Sequence, residues 1–231
     1  MTEQPGAGGD QRDAPDRAGA PSVVRLAEDH VEEAGELLAR ALHDDPFSRY
    51  VIPDPGTRPD SLPFLYEVGV RYGVLFGEVY AAQAPDGELR GVAVWLPPGQ
   101  HRTTPERTIE AGFLDLGDRL DLEVLQRFAQ VQGYVADVHE RDAPADHWYL
   151  TLAGVEPTHQ RHGLGAALLR PILARADADR IPCYLETFAE ENIPFYTRHG
   201  FAVVTAGIEP TSGVSFWTIR REPLPGRSAT D

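Results

Sequence analysis

From residue 22 onward the chain alternates between short runs of β-branched and aromatic residues and longer segments whose apolar positions recur every three or four residues. Ser22 to Leu26 predicts a first strand, and Val31, Ala34, Leu37, Leu38 and Ala41 share one face of the helix after it. Asp29 and Glu32 have the spacing of a capping box at that helix's start. Leu62 to Phe76 predicts a second helix, and Glu78 to Ala82 with Leu89 to Leu96, joined around Asp86 and Gly87, predict a β-hairpin. Between Pro97 and Asp146, Ile109, Phe113, Leu116 and Leu120, then Leu122, Leu125, Phe128, Ala129 and Val131, predict two further helices. Their aromatic residues Phe113, Phe128 and Tyr134, with Trp148 beyond, are expected in the core. From Asp146 the pattern reads strand, helix, strand, helix, strand, strand, ending near Arg220.

The stretch Val155 to Leu169, VEPTHQRHGLGAALL, changes the picture from fold to chemistry. Trp148 to Ala153 has the content of a buried strand that Pro157 closes, and Ala166, Ala167, Leu168, Leu169, Ile172 and Leu173 recur at helical intervals. Between them lies a turn with Gln160, Gly163 and Gly165. The first turn of a helix leaves backbone N–H groups without intrahelical partners and carries partial positive charge, so an anion is stabilised there. Glycines without Cβ let phosphate oxygens approach the main chain and make positive φ inexpensive. A dinucleotide fingerprint needs a third glycine that this turn lacks, and a P-loop needs a lysine. The chain contains no lysine at all, which also excludes Schiff-base mechanisms.

The spacing Val155-x-Pro157-x-x-Gln160-x-x-Gly163-x-Gly165 resembles the acetyl-coenzyme A signature of the GNAT superfamily of N-acetyltransferases. Tyr184-Leu185-Glu186-Thr187 resembles that family's next strand, Asn192 and Tyr196 fall on its next helix, and His199-Gly200-Phe201 resembles its Tyr-x-x-x-Gly-Phe ending. Within the superfamily the chain is most similar to the puromycin N-acetyltransferase-like members, through Arg25-Leu26-Ala27, Ala93-Val94-Trp95, Leu185-Glu186-Thr187 and Asn192-x-Pro194-Phe195-Tyr196. The likeness runs from about Val23 to Arg220. It implies an α/β fold with a mixed, largely antiparallel sheet and helices on both faces. The sheet would be splayed between the strand ending at Val155 and the strand centred on Leu185, with acetyl-coenzyme A as cosubstrate in the splay.

The resemblance further implies a bulge near Ala153 and Gly154, with Leu152, Ala153, Gly154 and Val155 along the pantetheine arm and as oxyanion donors. The pyrophosphate would lie on Gln160, Arg161, His162, Gly163, Leu164, Gly165 and Ala166, where His162 stands in place of the family's frequent cation. Asn192 is expected to hydrogen-bond the cofactor, against the alternative of a helix cap. Tyr196 is the expected acid for the departing thiolate, and Glu186 the expected base or ammonium-binding carboxylate. The insertion between Pro97 and Asp146 is expected to help shape the acceptor pocket.

Length and composition fit one domain: 231 residues, 42% of them hydrophobic. Residues 1–21 and 223–231 read as tails, the first rich in Gly, Ala, Pro, Asp and Arg, around a domain spanning 22–222. A net charge of −15 argues against nucleic-acid binding. Cys183 is the single cysteine, so no intrachain disulfide forms, and it reads as a buried apolar residue. Eight histidines show no metal-ligand spacing, so no metal is expected. No signal peptide or bilayer-spanning run is visible, which points to a cytoplasmic protein, monomeric or homodimeric. The expected activity is acetyl transfer to a primary amine of a small molecule, antibiotic-like in the sharper form. The alternatives are acetylation of a protein lysine or N-terminus, and a non-catalytic acyl-coenzyme A sensor.

Overall fold

The computed structural model describes residues 21–224. The tails expected over residues 1–21 and 223–231 lie, apart from Pro21, Pro223 and Leu224, outside the described residues. One seven-stranded sheet organises the rest: β1 (Ser22–Arg25), β2 (Glu78–Gln83), β3 (Leu89–Leu96), β4 (Trp148–Val155), β5 (Cys183–Thr187), β6 (Ala202–Ile208) and β7 (Ser215–Arg221), in the order β1-β2-β3-β4-β5-β7-β6. Every neighbouring pair is antiparallel except β4 and β5. A parallel neighbour requires a crossover, which the helix between those two strands supplies.

Alternation along the strands assigns the two faces. On one, α1 (Val31–Ala41) and α3 (Arg58–Phe76) cover Val79, Ala81, Val92, Val94 and Leu152. On the other, α6 (Leu164–Asp179) and α7 (Ile193–Arg198) pack with Ala93, Trp95, Trp148, Leu150, Cys183, Leu185 and Ile219. α3 lies so close to the sheet that a Cβ on Gly73 would stand 2.3 Å from Val94 Cγ1. Among the described residues no helix is long and apolar enough to cross a membrane.

The insertion folds as α4 (Pro105–Glu110), a 3-10 turn over Phe113–Asp118 and the longer α5 (Leu122–Asp142), close to the pair of helices expected. A short α2 (Pro46–Val51) was not legible in the pattern, because six residues give less than two turns of periodicity. Its start is set instead by Asp45, whose side chain accepts from the Phe47 N–H at 2.9 Å. The expected capping box fails: Asp29 lies in a 3-10 turn (Glu28–His30), His30 is the N-cap of α1, and no side chain caps that helix. Asp29 hydrogen-bonds the His30 ring instead, at 2.9 Å.

Two irregularities in β4 set the stage for chemistry. β4 and β5 pair only through Trp148↔Cys183, Tyr149↔Tyr184 and Leu150↔Leu185, so the strands part at Thr151. Against β3 the register slips where Val94 faces Leu152 and Trp95 faces Leu150, leaving Thr151 as the extra residue. The bulge therefore lies at Thr151, not near Ala153 and Gly154 as expected. The parity of the side chains carries the reason: Trp148 and Leu150 pack under α6, whereas Leu152 and Gly154 face α1 and α3, a reversal that one added residue produces.

Candidate active site

The turn from β4 into α6 leaves backbone N–H groups open at a helix N-terminus. Arg161 (φ 65°) and Gly163 (φ 83°) both occupy the left-handed region, and Gly163 is the N-cap of α6. Among the described residues no protein oxygen accepts from the backbone N–H groups of Arg161 through Ala166. Nothing lies within 4 Å of where a Gly163 Cβ would be, so the approach is open, while a Cβ on Gly165 would stand 3.1 Å from Phe195 Cζ. Gln160 braces the turn by donating from Nε2 to the Val155 carbonyl at 3.2 Å. Arg161 and His162 are exposed beside it. These orphaned donors at a helix N-terminus fit a pyrophosphate.

Beyond Leu150 the edge of β4 that faced β5 has no strand partner, so main-chain groups of Thr151 to Val155 border the splay. A cavity of about 580 Å³ opens from it, bounded by Thr151, Leu152 and Ala153 on β4, Glu186 and Thr187 on β5, and Tyr196 on α7. Its far side is aromatic: Phe47, Tyr66, Tyr72, Phe113 and Phe128. Phe113 and Phe128 pack against the core as expected and also border this space, while Trp148 is buried beneath α6 and Tyr134 packs edge-on against Phe216.

Tyr196 is 9% exposed and packs edge-on with Phe195 and Phe201, at 5.1 and 5.8 Å between ring centroids. Burial, helped by the charge of Asp45, raises its phenol above the usual tyrosine range, so it stays protonated at neutral pH. Asn192 stands at the N-cap position of α7 without capping it. Its side-chain nitrogen donates to Thr187 Oγ1 at 3.1 Å, which places the amide on the cavity wall. Asp45 is a residue that the pattern did not single out. Burial pushes its carboxyl up to about 6, offset in part by the Phe47 N–H, and it borders the same cavity.

Glu186 lies on the α3 face of β5 with Tyr184, as strand parity predicts, and its side chain is 5% exposed. Its Oε1 accepts from His139 Nδ1 at 2.9 Å. Burial raises the Tyr149 and Tyr184 phenols beside it, and the Glu186 charge adds to both shifts. His139 Nε2 lies 3.0 Å from His147 Nε2, and His147 Nδ1 donates to the Pro144 carbonyl at 2.6 Å. Burial pushes His147 down to about 4 and lowers His101, whose ring stacks on His139 at 5.2 Å. The expectation of scattered, unrelated histidines is thereby corrected for three of them. They come from the loop after β3, the end of α5 and the residue before β4, segments that only tertiary packing brings together. Cys183 behaves as expected, fully buried, with burial pushing its thiol up to about 12.

Known proteins resemble parts or the whole of this fold. Residues 123–203, from α5 through the start of β6, match the family described as Acetyltransferase (GNAT) domain. An uncharacterised N-acetyltransferase of Schizosaccharomyces pombe is 29% identical over 189 residues, which is 78% of this chain and 74% of that protein. A Corynebacterium glutamicum structure described as histone acetyltransferase HPA2 and related acetyltransferase superposes with a TM-score of 0.63 at 22% identity, covering 90% of this chain and 99% of the other. Arylalkylamine N-acetyltransferase 2 of Aedes aegypti does so with a TM-score of 0.54 at 12% identity, covering 88% and 99%. Residues 123–203 thus resemble a GNAT acetyltransferase domain, and the chain shares the mixed α/β fold of the Corynebacterium glutamicum structure.

Proposed function

We propose that this chain transfers the acetyl group of acetyl-coenzyme A to a primary amine on a small molecule with an apolar or aromatic body, an antibiotic-like amine such as an aminonucleoside among them. The observation that carries the reading is the single cavity joining the β4–β5 splay to a pocket walled by aromatic rings, with Tyr196, Glu186 and Asp45 at its edge. Acetyl-coenzyme A supplies the thioester. The chain's N–H groups from Arg161 to Ala166 hold its pyrophosphate, and Asn192 and the β4 residues Leu152 to Val155 align the pantetheine arm. Backbone N–H groups of Leu152 to Val155 are the donors for charge developing on the carbonyl oxygen. Glu186 receives the proton of the acceptor ammonium, directly or through water, and Tyr196 holds the proton for the departing sulfur.

An acceptor presented on a protein chain needs a long open groove. The insertion from Pro97 to Asp146 instead contributes Phe113, Phe128 and Val135 to the cavity wall, which favours a compact acceptor. The test is acetyl-coenzyme A-dependent thiol release over a panel of puromycin, polyamines, aminoglycosides, amino acids and a lysine peptide, with Tyr196→Phe alongside. Amine-dependent release with a small aromatic amine, lost in the variant while cofactor affinity is kept, is the expected result. Turnover confined to the lysine peptide would move the acceptor to proteins. Cofactor binding without turnover on any amine would favour a sensor.

A further inference from the structure

His101, His139 and His147 each present one ring nitrogen such that the three nitrogens lie within 4.8 Å of one another. Their ring centroids form a nearly equilateral triangle, 5.2 Å from His101 to His139, 4.8 Å from His101 to His147 and 5.0 Å from His139 to His147. The hydrogen bonds decide which nitrogens are free. The Pro144 carbonyl can only accept, so His147 carries its hydrogen on Nδ1. Glu186 accepts from His139 Nδ1 in the same way. Both Nε2 atoms are therefore left facing each other at 3.0 Å, two lone pairs that repel unless a cation lies between them. The third ring adds to the case: His101 Nδ1 is buried with no hydrogen-bond partner.

We propose that His101, His139 and His147 bind a divalent transition-metal ion, zinc by preference, at the acceptor end of the cavity. A tetrahedral zinc with about 2.0–2.1 Å to each nitrogen puts ligand nitrogens about 3.3 Å apart and imidazole centroids about 5 Å apart, the spacing of these rings. One nitrogen has to close in by up to about 1.5 Å to reach that geometry, and His101 is free to supply the movement because its loop lies between β3 and α4, outside any helix or strand. The outer contacts are already in place. Glu186 on His139 and the Pro144 carbonyl on His147 are the acceptors that commonly orient ligating imidazoles. His101, His139 and Glu186 line the cavity and His147 lies behind them, so the fourth position of the tetrahedron opens toward the acceptor. The site does not depend on the acetyl-transfer reading, because its ligands are distinct from the cofactor turn.

The experiment uses untagged full-length protein stripped with a chelator, then titrated with Zn²⁺ by calorimetry and with Co²⁺ by visible absorption. One ion per chain with a Kd of about 1 μM or tighter, and the intense Co²⁺ bands of a tetrahedral site, are expected. His101→Ala and His147→Gln should each weaken Zn²⁺ binding by about 100-fold or more, with circular dichroism unchanged, while His30→Ala keeps full affinity. Less than one ion per chain, octahedral Co²⁺ bands, or unchanged affinity in His101→Ala would overturn the proposal and leave a shared proton between His139 and His147. Should His147→Gln fail to fold, the His101 variant and the Co²⁺ spectrum of the unaltered protein still decide.

Discussion

Asp45 holds the start of α2 through the Phe47 N–H, yet its carboxyl is surrounded by the apolar wall of the cavity, where burial raises it from 3.8 to about 6. A carboxyl raised in the folded state binds its proton more tightly there than in the unfolded chain. Its contribution is therefore fully present below pH 3.8 and is lost as pH climbs through 6. A shift of about two units corresponds to roughly 3 kcal/mol once the group is ionised in both states. Asp45→Asn removes the charge and keeps an effective N-cap. Urea unfolding of both proteins from pH 4 to pH 8 measures the effect. The variant should gain on the natural protein as pH rises and level off about 3 kcal/mol ahead above pH 7. A difference that stays constant across this range, or shrinks with rising pH, would refute the placement of Asp45 in an apolar wall. The same charge bears on function, since an ammonium docked beside Asp45 restores its ordinary pKa. An amine acceptor should then narrow the gap between the two proteins at pH 8.

Gly163→Ala puts a Cβ on a residue with φ 83° in open space, so the cost is conformational alone. It should lower stability by about 1 kcal/mol while raising the KM for acetyl-coenzyme A, and an unchanged KM would remove that turn from the pyrophosphate site. Gly73→Ala drives a methyl into Val94 Cγ1 and Val79 Cγ2, and thermal unfolding should register a loss of about 1–3 kcal/mol. Arg221, 4% exposed at its side chain, pairs with both Asp177 oxygens at 2.7 and 2.8 Å and donates to the His199 carbonyl at 3.0 Å. Arg221→Ala should cost about 3 kcal/mol in denaturant unfolding. Because Arg221 holds the Asp177 carboxyl below its ordinary range, that pair's contribution is present at neutral pH and fades as pH falls below about 4. For Glu186→Gln, kcat should fall more than KM rises; a change confined to KM would leave the carboxylate a substrate-binding role only.

Much of the molecule was legible along the chain because the physics involved is local. The run from Val155 to Leu169 specifies a strand, a left-handed glycine at the helix N-cap and a row of unpartnered N–H groups, all within one turn of backbone. Strand parity likewise put Glu186 and Tyr184 on one face, and helical spacing located α1, α3, α5 and α6. The misses share a cause, which is that their determinants lie far apart in sequence. The bulge sits at Thr151 because β3 and β4 must bury Trp95 and Leu150 on one face and Val94 and Leu152 on the other, a constraint of two strands rather than one. Asp45 acquires its raised pKa from burial beside the cavity and from the Glu191 charge, both set by segments distant in sequence.

The histidines make the division plainest. His101, His139 and His147 show no ligand spacing in the chain, yet the end of α5 and the loop after β3 close over β4 and bring their rings to within 4.8–5.2 Å of one another. Sequence alone determined the element order, the glycine turn before α6 and the parity of the strand that carries Glu186, because hydrogen bonding and side-chain periodicity act between near neighbours. Only the tertiary structure decided what surrounds that carboxylate, because desolvation and the convergence of polar groups depend on which distant segments pack against each other.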